Sequence, residues 1–198
     1  MFGSNQPVII LASNSSRRRE LLTLLLSSLG GGGFSVVVPR SEPPVDTSLA
    51  IDEAICNIAL AKARDVAARV NVPDALIIAA DTAVVLDGAV ILGKPENAAE
   101  AAEMLKLLSG KTHEVITGAA ILKGNSERVF AEWTEVTFRT LSETEITRYV
   151  ASGEPLDKAG AYGIQGKAAI FIEGIKGDYY NVMGLPICRL ATELAIIS

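Results

Sequence analysis

Three consecutive arginines, Arg17, Arg18 and Arg19, follow the small polar run Ser13-Asn14-Ser15-Ser16, and that run follows the apolar stretch Val8 to Ala12. A buried strand that ends in N-cap residues at the start of a helix presents free backbone N–H groups and a positive dipole end. Both favour an anion. Guanidinium forks match phosphate oxygens well, although three successive arginines on one turn cannot all face the same way. An ordinary capped surface helix fits the same pattern, so a phosphate site here stays one of two readings. The second candidate is Asp81, which follows the strongly apolar Leu76 to Ala80. A strand is expected there, ending at Asp81-Thr82, and ligands in open α/β sheets gather outside the carboxyl ends of strands. A carboxylate so placed can hold Mg²⁺ or orient a water, or it can merely satisfy turn amides. Oxygen-ligated Mg²⁺ or Mn²⁺ would suit Asp81 with a second carboxylate such as Glu42.

Two further segments imitate phosphate loops and fail. Gly88 to Lys94 has the glycine-lysine spacing, but Pro95 stands where the metal-binding Ser or Thr belongs. Gly110-Lys111-Thr112 has the right ending, but Leu105 occupies the required first glycine position. His113 is the only histidine, so histidine-rich metal sites are excluded; without a serine or cysteine nucleophile signature it reads as a turn or strand residue rather than a general base. Cys56 and Cys188 fit no CxxC or zinc spacing and are expected to be reduced thiols.

The elements that must position these groups follow from periodicity. Strands are expected at Val8–Ala12, Phe34–Val38, Leu76–Ala80, Glu114–Leu122, Arg128–Arg139 and Ala169–Ile172, with a hairpin over Val84–Leu92 around Asp87-Gly88. Helices are expected at Arg17–Leu29, Ser48–Val70, Asn97–Leu108, Ser142–Ala151 and Pro186–Ala195. Ser16 with Glu20 forms a loose capping arrangement, and Ser142 with Glu145 a full capping box. Strands alternating with helices indicate an α/β fold. With 198 residues, 49% hydrophobic and 21% charged, the chain can bury a sizeable core and is not disordered. No linker or repeat divides it, so a single domain over residues 1–198 is expected. A net charge of −5 argues against a general nucleic-acid coat. No apolar run approaches the roughly 18 residues of a membrane span. Nothing basic precedes Val8, so no leader is expected and the cytoplasm is favoured.

Taken together, the segments resemble the Maf family of nucleotide pyrophosphatases. The residues that carry the likeness are Leu11 to Leu22, Ala61-Lys62-Ala63, Ala80-Asp81-Thr82, Gly93-Lys94-Pro95, Ser109 to His113, Thr117-Gly118, Tyr149 to Gly166, Gly177-Asp178-Tyr179 and Asn181 to Pro186. The resemblance implies an elongated mixed sheet flanked by helices, two lobes with a deep cleft, and a fold related to inosine triphosphatases. It implies hydrolysis between the α and β phosphates, dependence on a divalent metal, and frequently a homodimer. By motif match Asp81 takes the catalytic position, Ser13, Arg18, Lys62 and Lys94 take phosphate-contacting positions, and Glu42 that of the acidic loop residue beside the metal. Arg17, Thr82 and Gln165 fill the positions that separate a dTTP/UTP type from a 7-methyl-GTP type, and here they match the former. Ser16 replaces the usual proline, Pro39 to Asp46 departs from the usual loop, and Gly30 to Gly33 resembles an insertion. The competing readings are a pyrophosphatase for purine variants such as inosine triphosphate, and a nucleotide-binding regulator of septum formation or cell division with little turnover.

Overall fold

A computed structural model describes residues 7–197 of the chain. The expectation about a leader concerns residues 1–6, which lie outside the described residues. The order is β1 (Ile9–Leu11), α1 (Ser16–Ser28), β2 (Ser35–Val36), α2 (Ile51–Ala67), β3 (Leu76–Leu86), β4 (Val90–Leu92), α3 (Ala98–Leu108), β5 (Thr112–Lys123) and β6 (Ser126–Phe138). Then come α4 (Glu143–Val150), three short 3-10 segments between Glu154 and Phe171, β7 (Ile172–Lys176), α5 (Tyr179–Met183) and α6 (Ile187–Ile197). The seven strands form one sheet in the order β2-β1-β3-β5-β6-β7, with β4 paired to β3 off that path. It is mixed: β2, β1 and β3 run parallel, whereas β3–β4 and β6–β7 are antiparallel. Among the described residues, no helix is long and apolar enough to cross a membrane.

The chain divides into two compact units, one formed by residues 7–81, 117–132 and 184–197, the other by 82–116 and 133–183. In the first unit, β3 is buried on both faces, so it reads as an unbroken apolar run rather than an alternating one. Ala75, Ile77 and Ala79 pack with Ile10 and Ala12 of the β1 segment against Ala59, Ala63 and Val66 of α2. The fit is close at Gly118, where a Cβ would lie 2.7 Å from the Cys56 backbone nitrogen and 2.8 Å from the Ile55 carbonyl carbon. Only glycine lets the helix backbone approach the strand this far. Helix α1 buries Leu21, Leu22, Leu25 and Leu26 and packs near α6; each buried leucine contributes roughly 1.5–3 kcal/mol. The second unit has its own core, in which Val84, Leu86, Leu105, Leu108, Phe138, Tyr162 and Phe171 are buried together.

Several local expectations are met. Asp87 and Gly88 take φ of 52° and 69°, the paired positive values of a tight hairpin turn between β3 and β4. Asn97 caps α3, and Ser142 and Glu145 form the reciprocal capping box on α4. Other expectations need correction. Strand β3 does not stop at Asp81-Thr82: it continues through both to Leu86, because Ala83 to Leu86 are all buried, Val84 and Leu86 in the second core, and Val84 to Leu86 pair with β4. The N-cap of α1 is Ser15, whose side chain accepts from the Arg18 N–H, and not Ser16. Residues Gly166–Phe171 form a 3-10 segment, and the strand expected at Ala169–Ile172 begins only at Ile172.

Candidate active site

Asp81 and Thr82 are the two half-buried positions in a strand whose other nine residues are buried. Such a polar step inside an apolar strand must meet partners or leave unpaired charge in low dielectric. The partner of Asp81 is Lys62, on the buried face of α2, whose ammonium lies 2.6 Å from Asp81 Oδ1. The same ammonium donates to Glu42 Oε1. Lys62 is 8% exposed and Asp81 15%, while Glu42 is 53% exposed at the rim. One buried cation therefore holds two carboxylates from separate segments.

Glu42 reaches this point because its loop is tied to α2. The Asp65 carboxylate accepts the Arg40 N–H at 2.9 Å, and Arg69 donates to Asp65 at 2.7 Å and to the Val38 carbonyl at 2.9 Å. These positioning residues escaped the sequence reading. Their only signal was an i,i+4 acid–base pair, which occurs on many exposed helix faces.

The other wall is the start of α1. Arg18 Nε donates to the Gly184 carbonyl at 2.8 Å, and its Nη1 lies 3.5 Å from the buried Ser13 hydroxyl, which also accepts from the Ser15 N–H at 3.2 Å. The first turn of α1 has no acidic residue to offset its positive end. Burial pushes the Arg18 pKa down, opposed by Asp81 and Glu42, and Arg17 adds to the downward push. Arginine nevertheless remains charged at neutral pH. Burial is also the largest influence on Asp81: it raises the carboxyl above its ordinary value against the downward pull of Lys62 and Arg18, and hydrogen bonding with Glu42 pushes the same way as burial. Asp81 is thus a weaker acid here than a free aspartate.

Among the described residues, no group of three or more His, Cys, Asp or Glu side chains converges on a metal position. Asp81 and Glu42 converge instead on a single cation, the Lys62 ammonium. Two carboxylates suit Mg²⁺ or Mn²⁺, which commonly take one or two protein carboxylates and fill the remaining positions with water and substrate phosphate.

The structure thus brings Ser13, Arg18, Glu42, Lys62 and Asp81 together in the first unit, with half-buried Arg17 on the same helical turn as Arg18. Thr82, Lys94 and Gln165 belong to the second unit. Lys94 and Gln165 are exposed there, and their side chains have no polar partner among the described residues. His113 is buried in the second core, with Nε2 at 2.7 Å from the Tyr162 hydroxyl. Burial pushes its pKa down to about 4, so it stays neutral at physiological pH, as a packed strand residue would. Both cysteines are free thiols, Cys56 half-buried and Cys188 exposed.

Known proteins share both sequence and fold with this chain. A dTTP/UTP pyrophosphatase of Bacillus mycoides (strain KBAB4) is 53% identical over 161 residues, 81% of this chain and 83% of the relative. One of Bacillus cereus (strain AH820) is 52% identical over the same length and coverage. Among solved structures, a HAM1 protein from Coxiella burnetii aligns over 96% of this chain and 99% of its own, with a TM-score of 0.51 at 17% identity. The Staphylococcus aureus Ham1 protein aligns equally well at 16% identity. At that distance the likeness concerns the fold alone, a mixed sheet flanked by helices. The model of the Maf-like proteins matches residues 8–197, nearly the whole chain, and the chain belongs to that family.

Proposed function

We propose that this chain hydrolyses nucleoside triphosphates to nucleoside monophosphate and pyrophosphate, with dTTP and UTP preferred over purine triphosphates. The observation that carries the reading is the buried Lys62 ammonium joining Asp81 to Glu42 beside Arg18 at the unneutralised start of α1. That arrangement sets a proton acceptor among cations suited to phosphate. The relatives named dTTP/UTP pyrophosphatase agree with it and disfavour a regulator with little turnover.

In this reaction a water attacks the α-phosphorus in line, the bond from that phosphorus to the bridging oxygen breaks, and pyrophosphate leaves. Asp81 accepts the proton of the water, a role to which its raised basicity is suited. Arg18 and Lys62 offset the charge that grows on the phosphate oxygens, and Ser13 with the first-turn amides of α1 orients them. Lys94 supplies a further phosphate contact. A divalent cation held by Asp81 and Glu42 would polarise the phosphate and lower the pKa of the attacking water. For the base, Gln165 offers an amide donor and an acceptor that complement the N3–H and carbonyl edge of uracil or thymine, with Arg17 and Thr82 completing the selection. In a cell this activity would remove surplus or modified pyrimidine triphosphates from the cytoplasmic pool.

Chromatography of a UTP digest tests the reaction: UMP and intact pyrophosphate are expected, and accumulation of UDP would overturn it. The ratio of kcat/KM for UTP and GTP tests the base preference. A ratio at or below one would remove the pyrimidine assignment.

A further inference from the structure

The Gln165 side chain is exposed, has no hydrogen-bond partner among the described residues, and does not cap the 3-10 segment that begins at Gly166. It therefore does nothing to hold its own loop in place. The loop is instead clamped on both sides by two other side chains. On the C-terminal side, Glu154 Oε2 accepts the Lys167 N–H at 3.2 Å. Its carboxylate also lies against Gly166, where a Cβ would be 2.6 Å from Oε1 and 3.1 Å from Cδ. Gly166 has φ +80°, so a side chain there would meet both the left-handed backbone and the carboxylate. On the N-terminal side, the Lys158 stem covers Gly163, with Cε 2.8 Å from the position of a Cβ. Lys158 Nζ is tied back to the Glu154 carbonyl at 2.7 Å and to Asp157 at 2.6 Å. Between the clamps, Ile164 is buried.

Glu154 is itself held. The Tyr149 hydroxyl donates to Oε1 at 3.3 Å, and the Glu154 N–H donates to the Ser152 hydroxyl at 3.3 Å. Tyr149 packs edge-on against Phe171, at the far end of the same 3-10 segment, with ring centroids 5.2 Å apart. A chain of contacts thus runs from a buried aromatic pair through one carboxylate to the backbone just after Gln165. All of it lies within the second unit.

We propose that Glu154 is a positioning residue for base selection: it fixes the Gln165 backbone so that a free side-chain amide projects from an already ordered loop to the pyrimidine edge. This deepens the proposed function and rests on it. Recognition by paired hydrogen bonds needs the reading group held to within about half an ångström, and a loop ordered beforehand loses less entropy on binding. Glu154 touches neither the phosphates nor the reacting atoms in this account. Its loss should therefore appear in KM and base preference before kcat.

The test is a cycle of Glu154→Gln, Gln165→Ala and the double variant, with kcat and KM for UTP and GTP and the amide-exchange rate at Lys167. Gln is nearly isosteric but uncharged: with its carbonyl oxygen toward the Lys167 N–H and its NH2 toward the Tyr149 hydroxyl, it replaces two charge-assisted bonds by two weaker neutral ones. In Glu154→Gln, the UTP/GTP ratio of kcat/KM should fall about five- to thirtyfold, mostly through the KM for UTP, with kcat within about threefold, and Lys167 exchange should quicken. In the Gln165→Ala background the same change should leave the ratio unaltered, because the amide being positioned is gone. An equal fall in both backgrounds, a loss confined to kcat, or unchanged Lys167 exchange would overturn the proposal. A wild-type enzyme with no UTP preference would overturn the pyrimidine reading itself and this proposal with it. A wild-type preference that survives Glu154→Gln refutes the positioning role alone.

Discussion

Replacing Asp81 with Asn separates what the carboxylate does for chemistry from what it does for stability, and the two should move in opposite directions. The substitution is nearly isosteric and retains an oxygen that can accept from Lys62, which lies 2.6 Å from Oδ1. It removes the charge that accepts a proton. Loss of a general base typically costs about 10²–10⁴ in rate, or roughly 3–5 kcal/mol of barrier. Stability follows the opposite sign. Burial raises the Asp81 pKa in the folded protein despite Lys62 and Arg18, so the ionised form is disfavoured there relative to the unfolded chain. As pH rises through the window between the ordinary carboxylate value and the raised folded one, wild type loses stability on this account; Asn, which stays neutral, does not. At pH 7 in metal-free buffer the Tm of the variant should therefore be no lower than that of wild type. Any gap in its favour should close as pH is lowered through that window. The difference between the proteins matters, because carboxylates such as Glu145, held at about 2 mainly by Arg139, affect both alike. Steady-state UTP hydrolysis with Mg²⁺ and calorimetry at several pH values supply the data. Retention of more than about a tenth of wild-type kcat would remove Asp81 from the proposed step, and a lower Tm at pH 7 would show that its charge stabilises the fold.

Lys62→Met leaves Asp81 and Glu42 without their shared cation, so the acidic limb of the kcat/KM profile should move up by about one to three pH units; an unmoved limb would show that Lys62 does not set the basicity of Asp81. Chelation with EDTA should reduce turnover at least about a hundredfold, with recovery on adding Mg²⁺ or Mn²⁺. Full activity in chelator would exclude the carboxylate pair as a required metal site. Gly118→Ala places a Cβ 2.7 Å from the Cys56 backbone nitrogen, where no rotamer change can relieve the contact. Overpacking of this kind costs about 1–3 kcal/mol, a Tm loss of roughly 2–12 °C for a chain of this size, and an unchanged Tm would mean that α2 shifts freely on the sheet.

Features decided within a few residues were legible in the sequence. The capping box of Ser142 and Glu145, the Asn97 cap and the Asp87-Gly88 turn each depend on backbone groups no more than three or four positions away, and side-chain chemistry fixes them wherever the segment lies. The same holds for the cations at the start of α1 and for the polar step in β3, which were visible as candidates before any fold was known. The residue types of the site were therefore readable, and motif likeness selected among them. What only the tertiary structure decided was which of them meet. Glu42 and Asp81 lie 20 and 19 residues from Lys62 and reach the same ammonium, and Arg18 is held by a carbonyl 166 residues away. The course of β3 through Asp81 was hidden for the same reason: the residues that extend it are buried by a second core assembled from distant segments. Propensity and spacing act over one or two turns of chain, whereas the pairing of buried charges depends on how strands and helices pack, down to the absence of a single Cβ at Gly118.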